Sequence, residues 1–585
     1  MVHPLMPNTA DSDRQAHTLD RLFNAGRGKT SQGLSPVALS LATFDWAAHL
    51  AAHPGKPFAL AEEATRNLMS FQSYAFNRMA GTCRQPCIQP WPGDDRFAAE
   101  QWQSWPYDLL HQGFLLTQQW WHDATSGVRG VTQHHEDVVN FLGRQVLDLY
   151  SPSNYLPTNP EVLARTLQEG GANLGRGVAN ALEDVERQAN GKPPAGGEHW
   201  QVGENLACTP GKVVYRNRIM ELIQYEPATK TVYPEPILIV PAWIMKYYIL
   251  DLAPHKSMIE YLVGKGHTVF VVSWKNPGSE DRDLGMNNYR REGVMEALEA
   301  VTSIVPERQV HAVGYCLGGT LLMLAAATMA REGDERLASM TLLAAQADFT
   351  EPGELELFID ESQVTFIEDM MWEKGYLDGS MMAGAFQLLR SKDLIYSRLI
   401  HDYMMGDRGK VIDLMAWNAD ITRLPYRMHS EYLRWLFLNN DFVEDRYDVG
   451  GQPIHIGDIQ VPTFAIGTEK DHIAPWPSVY KINRFLPRAD VTFALTTGGH
   501  NAGIVTPPGH PRRTFRILSR QVGDPYVSPD SFLEKAAQKS GSWWPDWQEW
   551  LREHSGSRVA PPGVGQSEGA YQPLAVAPGQ YVLQK

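Results

Sequence analysis

A strand-like run, a glycine-bounded turn and a helix-like run meet between residues 309 and 330. No other feature constrains the fold of this chain as tightly. Gln309–Val313 reads as a strand, Gly314-Tyr315-Cys316-Leu317-Gly318-Gly319 follows, and from Thr320 to Ala327 the spacing is helical. Strand, sharp turn and helix are the setting of a nucleophile elbow, which thrusts its central side chain out from the end of a sheet. A β-carbon at Gly314 or Gly318 would crowd so tight a turn. The central residue here is Cys316, where most such elbows carry serine. The same GxCxG pattern also fits a plain turn with a buried thiol, so the remaining residues must decide.

The surrounding pattern supports an α/β fold. Beyond about residue 215, short apolar runs recur at 237–240, 268–272, 310–313, 340–343, 463–466 and 491–495. Helical spacing separates several of them, as at 257–265 and 289–304, which implies a mostly parallel sheet covered on both faces. Between about 350 and 450 this rhythm stops, and a helical insertion is expected. From about 38 to 190 the spacing is helical, as in Leu60, Ala64 and Leu68, and 190–197 reads as a linker. The organisation read from the sequence is therefore a flexible tail over 1–35 and a helical N-terminal domain over 36–215. A catalytic domain over 216–560 follows, with a cap at about 350–450, and then a Gly/Pro-rich disordered tail over 561–585.

Composition narrows the function. A chain of 585 residues with 43% hydrophobic and 20% charged residues suits a globular protein of two domains, or one with large additions. A formal net charge of -15 argues against nucleic acid as the main partner. Four cysteines are too few for a disulfide framework, and the pair Cys83 and Cys87 has no second pair to complete a zinc site. The first twenty residues lack a basic start and an apolar core, so no signal peptide is expected and the protein reads as cytosolic. The longest apolar run, Leu321 to Ala330, is too short to span a bilayer.

An α/β-hydrolase arranges its triad in the order nucleophile, acid, histidine. Asp471 follows the run 463–466 and His500 follows 491–495, so both sit just past the carboxyl ends of strands, where open α/β sheets bind ligands. His500 is then the general base for the Cys316 thiol, and Asp471 orients it. His472 competes for the histidine role, but it leaves the same strand end as Asp471, whereas a triad takes its acid and histidine from separate ends. The backbone N–H of Leu317 points toward a developing oxyanion, and the loop after 237–240, with Ile244 as the candidate, supplies the second donor.

With these residues in hand, the chain resembles the polyhydroxyalkanoate synthases, most closely the single-chain class I type. The motifs are Pro241–Leu252 (PAWIMKYYILDL), Gly266–Pro277 (GHTVFVVSWKNP), Gly314–Thr320, Trp417–Pro425 (WNADITRLP), Asp471–Trp476 (DHIAPW) and Gly498–Val505 (GGHNAGIV). The resemblance implies an α/β-hydrolase core with Cys316, Asp471 and His500 as catalytic residues. The implied reaction joins (R)-3-hydroxyacyl-CoA units into a polyester with release of CoA. Short acyl chains such as 3-hydroxybutyryl are favoured, and no cofactor is needed beyond the CoA on the substrate. It further implies a homodimer and attachment to the polymer granule in the cytoplasm. Where the family often has Pro-Pro-Cys-Ile-Asn-Lys, this chain has Pro241-Ala-Trp-Ile-Met-Lys246, so Trp243 and Met245 make a bulkier mouth. In the family Asp471 either orients His500 or helps activate the attacking 3-hydroxyl, and the sequence leaves both open.

Two further features have two readings each. Eight of the twenty methionines lie in the insertion, as a movable cap or as ordinary core. Aromatic clusters at 91–121 and 543–550 suit either granule docking by the helical domain or packing between the domains. A polyester or thioester hydrolase, and a granule-coat protein with a dead site, are the competing functions.

Overall fold

Along the central strands, successive side chains face opposite sides of the sheet and both sides are buried. Leu238 and Val240 join one apolar cluster, and Ile237 and Ile239 join the other. Residues 9–31, 33–82 and 85–585 are described in this computed structural model. Among them are thirteen strands. In chain order β1 is Gly211–Arg216, β2 Met220–Tyr225, β3 Ile237–Val240, β4 Val269–Trp274, β5 Val310–Tyr315, β6 Leu337–Leu343, β7 Tyr376–Leu377 and β8 Leu424–Pro425. The rest are β9 Thr463–Thr468, β10 Val491–Thr496, β11 Thr514–Arg520, β12 Gln538–Ser540 and β13 Ala575–Val576.

Eleven of these form one sheet in the order β12-β11-β10-β9-β6-β5-β3-β4-β2-β1-β13, while β7 and β8 pair separately. The central pairs β4–β3, β3–β5, β5–β6, β6–β9 and β9–β10 are parallel, and antiparallel strands flank them on both sides. Register aligns the carboxyl ends: Tyr315 pairs with Leu343, Leu343 with Ile466, and Thr496 with Thr468. Side chains on the loops leaving β5, β9 and β10 are thereby delivered to one edge.

The chain divides into two compact units, 1–29 with 197–382 and 412–585, and 30–196 with 383–411. This differs from the sequence reading in three places. First, the helical unit ends at 196 rather than 215, because β1 already belongs to the sheet. Second, residues 383–411 of the expected cap fold with the helical unit. Among the described residues six α-helices lie wholly within that unit: α2 Pro36–Ala52, α3 Gly55–Met79, α4 Tyr107–Thr125, α5 Gln133–Leu149, α6 Pro160–Gln168 and α7 Ala172–Ala189; α1, Thr9–Ser31, precedes them. Ser35, Thr132 and Asn159 cap α2, α5 and α6, each accepting a backbone N–H in the first turn. Gly177 of α7 meets the Tyr403 backbone so closely that a β-carbon would sit 1.7 Å from its carbonyl oxygen. Asn173 and Asn180 donate to the carbonyls of Met404 and Asp402 at 2.8 and 2.9 Å. Those bonds hold the segment.

Third, the two expected tails are structured where they are described. In α1, Asn24 donates to Asp369 at 2.9 Å and Gly28 lies against Met370; residues 1–8 and 32 lie outside the described residues. The Gly/Pro-rich end is held by side chains of the sheet. Glu221, fully buried, accepts the N–H groups of Gln580 and Tyr581 at 2.8 and 2.9 Å. Gln224 donates to Gly563 and accepts from Gly565, and β13 pairs with β1. A composition that forbids a helix does not forbid order when buried side chains satisfy the backbone.

The second aromatic cluster lies mostly in the core of the catalytic unit. Trp543, Trp544 and Trp547 are at most 1% exposed and pack on the sheet within the catalytic unit. In the helical unit Trp102 is fully buried and donates to Glu161, whereas Trp105 is exposed. Of the insertion's methionines, Met371 and Met428 are core and Met415 is exposed. The insertion leaves and returns at one point. Asn440, with φ of 52°, accepts from the Phe349 N–H at 3.0 Å and donates to Asp348 at 2.8 Å.

Candidate active site

Cys316 sits between β5 and the helix Leu317–Glu332 with φ 52° and ψ -123°. That conformation is strained for a residue with a β-carbon and persists only where the surroundings impose it. The Cys316 N–H donates to Leu343 at 2.8 Å, and its carbonyl accepts from Gly319 at 2.9 Å. The glycines show why the turn needs them. A β-carbon on Gly314 would lie 2.3 Å from the Gly319 Cα, and one on Gly318 would lie 2.1 Å from the Val240 carbonyl oxygen. The second contact presses the loop after β3 against the elbow.

Asp471 and His500 meet from separate strand ends. His500 Nδ1 and Asp471 Oδ2 are 2.8 Å apart, and both side chains are buried. The other carboxylate oxygen, Oδ1, accepts from the N–H groups of Ile473 and Ala474 at 3.0 and 2.9 Å, and Thr468 Oγ1 adds 3.1 Å to Oδ2. Burial alone would raise the Asp471 pKa, but the His500 charge and these donors outweigh it and hold it below the usual carboxylate range. Burial pulls the His500 pKa down, and the negative charges of Asp471 and Cys316, with a hydrogen bond to each, lift it well above its ordinary value. An imidazole so placed favours its charged form. Asp471 pairs with His500, and the His472 carbonyl accepts from the Glu354 N–H at 2.9 Å.

Leu317 opens the helix after Cys316, so its N–H is among the unsatisfied donors of a helix N-terminus. Ile244 lies on the loop packed against Gly318, and its carbonyl is fixed by Thr422 Oγ1 at 2.6 Å. Trp243 is buried between Tyr289 and Tyr432, with ring centroids 6.0 and 5.8 Å away, and Met245 is half-buried and bridges to Ile421. Lys246, next in the chain, is buried under the Gln584 carbonyl at 2.6 Å, and burial lowers its pKa to about 8. Cys87 donates to Gln112 at 3.1 Å, and burial raises its pKa. Cys83 lies outside the described residues.

Several site residues had no signal in the sequence. Tyr432, from the insertion, is close enough to the sulfur that, after burial, the Cys316 charge raises its pKa. Trp543 and Trp544 donate to the carbonyls of Gly503 and Ile504 at 3.2 and 3.0 Å, bracing the short helix that begins at His500. Arg513 clamps the same segment through the carbonyls of Thr497 and Ala502 at 2.9 and 3.0 Å.

Elbow, sheet order and the Asp–His pair define an enzyme of the α/β-hydrolase fold with cysteine at the nucleophile position. Residues 235–507 match the alpha/beta hydrolase fold as a family. Residues 93–262 match the N-terminus of poly-beta-hydroxybutyrate polymerase (PhaC), and 14–56 match a second N-terminal family of the same polymerase. Over 544 residues the chain is 40% identical to the poly(3-hydroxyalkanoate) polymerase of Methylorubrum extorquens, covering 91% of this chain and 87% of that one. It is 37% identical to the polymerase subunit PhaC of Rhizobium etli, over 91% and 84% of the two chains. To that of Cupriavidus necator it is 35% identical, over 84% and 83%. The chain belongs to the poly(3-hydroxyalkanoate) polymerase family, and is an acyltransferase. No helix among the described residues is long and apolar enough to cross a membrane.

Proposed function

We propose that this enzyme polymerises (R)-3-hydroxyacyl-CoA, with short acyl chains preferred, and that Cys316 carries the acyl group as a thioester. The observation that carries the reading is the buried Asp471–His500 pair set against a sulfur on a strained elbow. His500 takes the thiol proton, the thiolate adds to the thioester carbonyl, and the oxyanion draws on the backbone N–H groups of Leu317 and Ile244. The carbon–sulfur bond to CoA breaks, and the CoA sulfur leaves with the proton from His500. Exchange of one thioester for another keeps the acyl group activated. The 3-hydroxyl of a second unit or of the growing chain then loses its proton to His500 and attacks the same carbonyl, forming an ester and freeing Cys316.

Asp471 orients His500 in this scheme. Both of its oxygens are already engaged by protein donors, which favours that role over direct activation of the 3-hydroxyl. The preference for short acyl chains follows from the resemblance of the motifs to the class I enzymes. The reaction needs no cofactor apart from substrate-borne CoA, and a homodimer at the granule surface completes the proposal. Incubation with (R)-3-hydroxybutyryl-CoA tests it. Polymer and free CoA are expected from the parent protein and neither from Cys316→Ala; free hydroxy acid in place of polymer would make the protein a hydrolase.

A further inference from the structure

We propose that Tyr315 and Asn501 form a positioning pair that sets the His500 imidazole against the Cys316 sulfur. Tyr315 immediately precedes the nucleophile, and Asn501 immediately follows the histidine. The Tyr315 hydroxyl donates to Asn501 Oδ1 at 2.5 Å, across a separation of 186 residues. This bond joins the end of β5 to the short helix that begins at His500, the two segments whose spacing decides whether the proton can pass. The tyrosine is 3% exposed, and its ring lies 5.8 Å from the imidazole, inclined by 30°. One face of the His500 ring is thus walled by the same side chain that tethers its neighbour.

The other restraints on His500 act elsewhere. Asp471 fixes Nδ1, and Arg513, Trp543 and Trp544 hold carbonyls of its segment. Beside the His500–Cys316 contact itself, the Tyr315–Asn501 bond links the histidine's segment to the strand that carries the nucleophile. A phenol so deeply buried has no solvent to replace Asn501, so loss of Asn501 leaves it unpaired. The His500 segment is then free to shift, and small displacements of a reacting group cost rate rather than substrate affinity.

This inference rests on the covalent role proposed for Cys316, and the test separates the two. Steady-state kinetics with (R)-3-hydroxybutyryl-CoA are compared for the parent, Tyr315→Phe, Asn501→Ala, the double variant and Asn501→Asp, which keeps the acceptor oxygen. Tyr315→Phe and Asn501→Ala are each expected to lower kcat by about ten-fold with KM within about two-fold of the parent. The double variant should lose no more than the worse single one, because the pair acts as a unit. Asn501→Asp should recover much of the loss seen in Asn501→Ala, and thermal midpoints report that all variants are folded. A parent-like kcat in Tyr315→Phe, or losses that multiply in the double variant, would overturn the inference. Cys316→Ala run alongside serves the other claim: if it retains turnover, the covalent role fails, whereas a dead Cys316→Ala beside a parent-like Tyr315→Phe sinks only the pair.

Discussion

In the proposed mechanism Asp471 does more than hold a ring in place. Its charge, set against the cost of burial, is a principal reason His500 favours the imidazolium. Asp471→Asn removes that charge and keeps the shape. The variant is expected to lose about 10²- to 10⁴-fold in kcat/KM, read by steady-state kinetics. A parent-like kcat/KM would show that the aspartate charge is not needed. The stability linkage has opposite signs for the two groups. The raised His500 pKa contributes stability at pH values below about 6.5 that is lost as pH rises through its folded value. The lowered Asp471 pKa contributes stability above about pH 3.9 that is lost as pH falls through its folded value. Strand ends and chain order make Cys316, Asp471 and His500 legible in the sequence, since each follows an apolar run by a few residues. Tyr315, Asn501 and Tyr432 are not legible, because nothing local tells a tyrosine which distant group its hydroxyl will meet.

At the scale of elements, the segment after β10 depends on braces from far along the chain. Trp544→Phe deletes the indole N–H that reaches the Ile504 carbonyl and keeps most of the buried ring. It should cost about 1–2 kcal/mol in stability and lower kcat several-fold, read by thermal midpoint and steady-state turnover; a parent-like result in both would remove the tryptophan from the site's support. The chain's end depends on Glu221 in the same way. Glu221→Ala is expected to expose the amides of Gln580 and Tyr581 to rapid hydrogen exchange while the central strands stay protected, and slow exchange at both amides would contradict that. The sequence misleads for these elements for one reason. Tryptophans suit a wet boundary as well as a core, and Gly/Pro-rich composition suits disorder as well as an irregular strap. The difference lies in long-range partners such as Thr341 for Trp547, 206 residues away in the chain.

Across the whole molecule, several histidines are stored neutral. Burial lowers the pKa of His267 to about 3 and that of His311 and His429 to about 4. The unfolded chain binds protons at these sites below about pH 6.5 while the folded chain does not, so stability falls with falling pH by up to about 1.4 kcal/mol per pH unit for each histidine. His429→Phe should therefore narrow the difference between the thermal midpoints at pH 5 and pH 7, and an unchanged difference would refute neutral burial of that side chain. Unit boundaries are the least legible property at this scale. Helical spacing marks the helical unit up to Ala189, but the return of 383–411 to it depends on Asn173, Gly177 and Asn180 meeting a segment more than 200 residues later.

The proposed polymerisation depends on an acyl group held by the sulfur of Cys316. The direct measurement is mass analysis of the peptide containing residue 316 after rapid acid quench of enzyme mixed with (R)-3-hydroxybutyryl-CoA. The expected peptide carries hydroxybutyryl units on Cys316, released by hydroxylamine and absent in Cys316→Ala. An unmodified peptide during active turnover, with polymer accumulating, would contradict it.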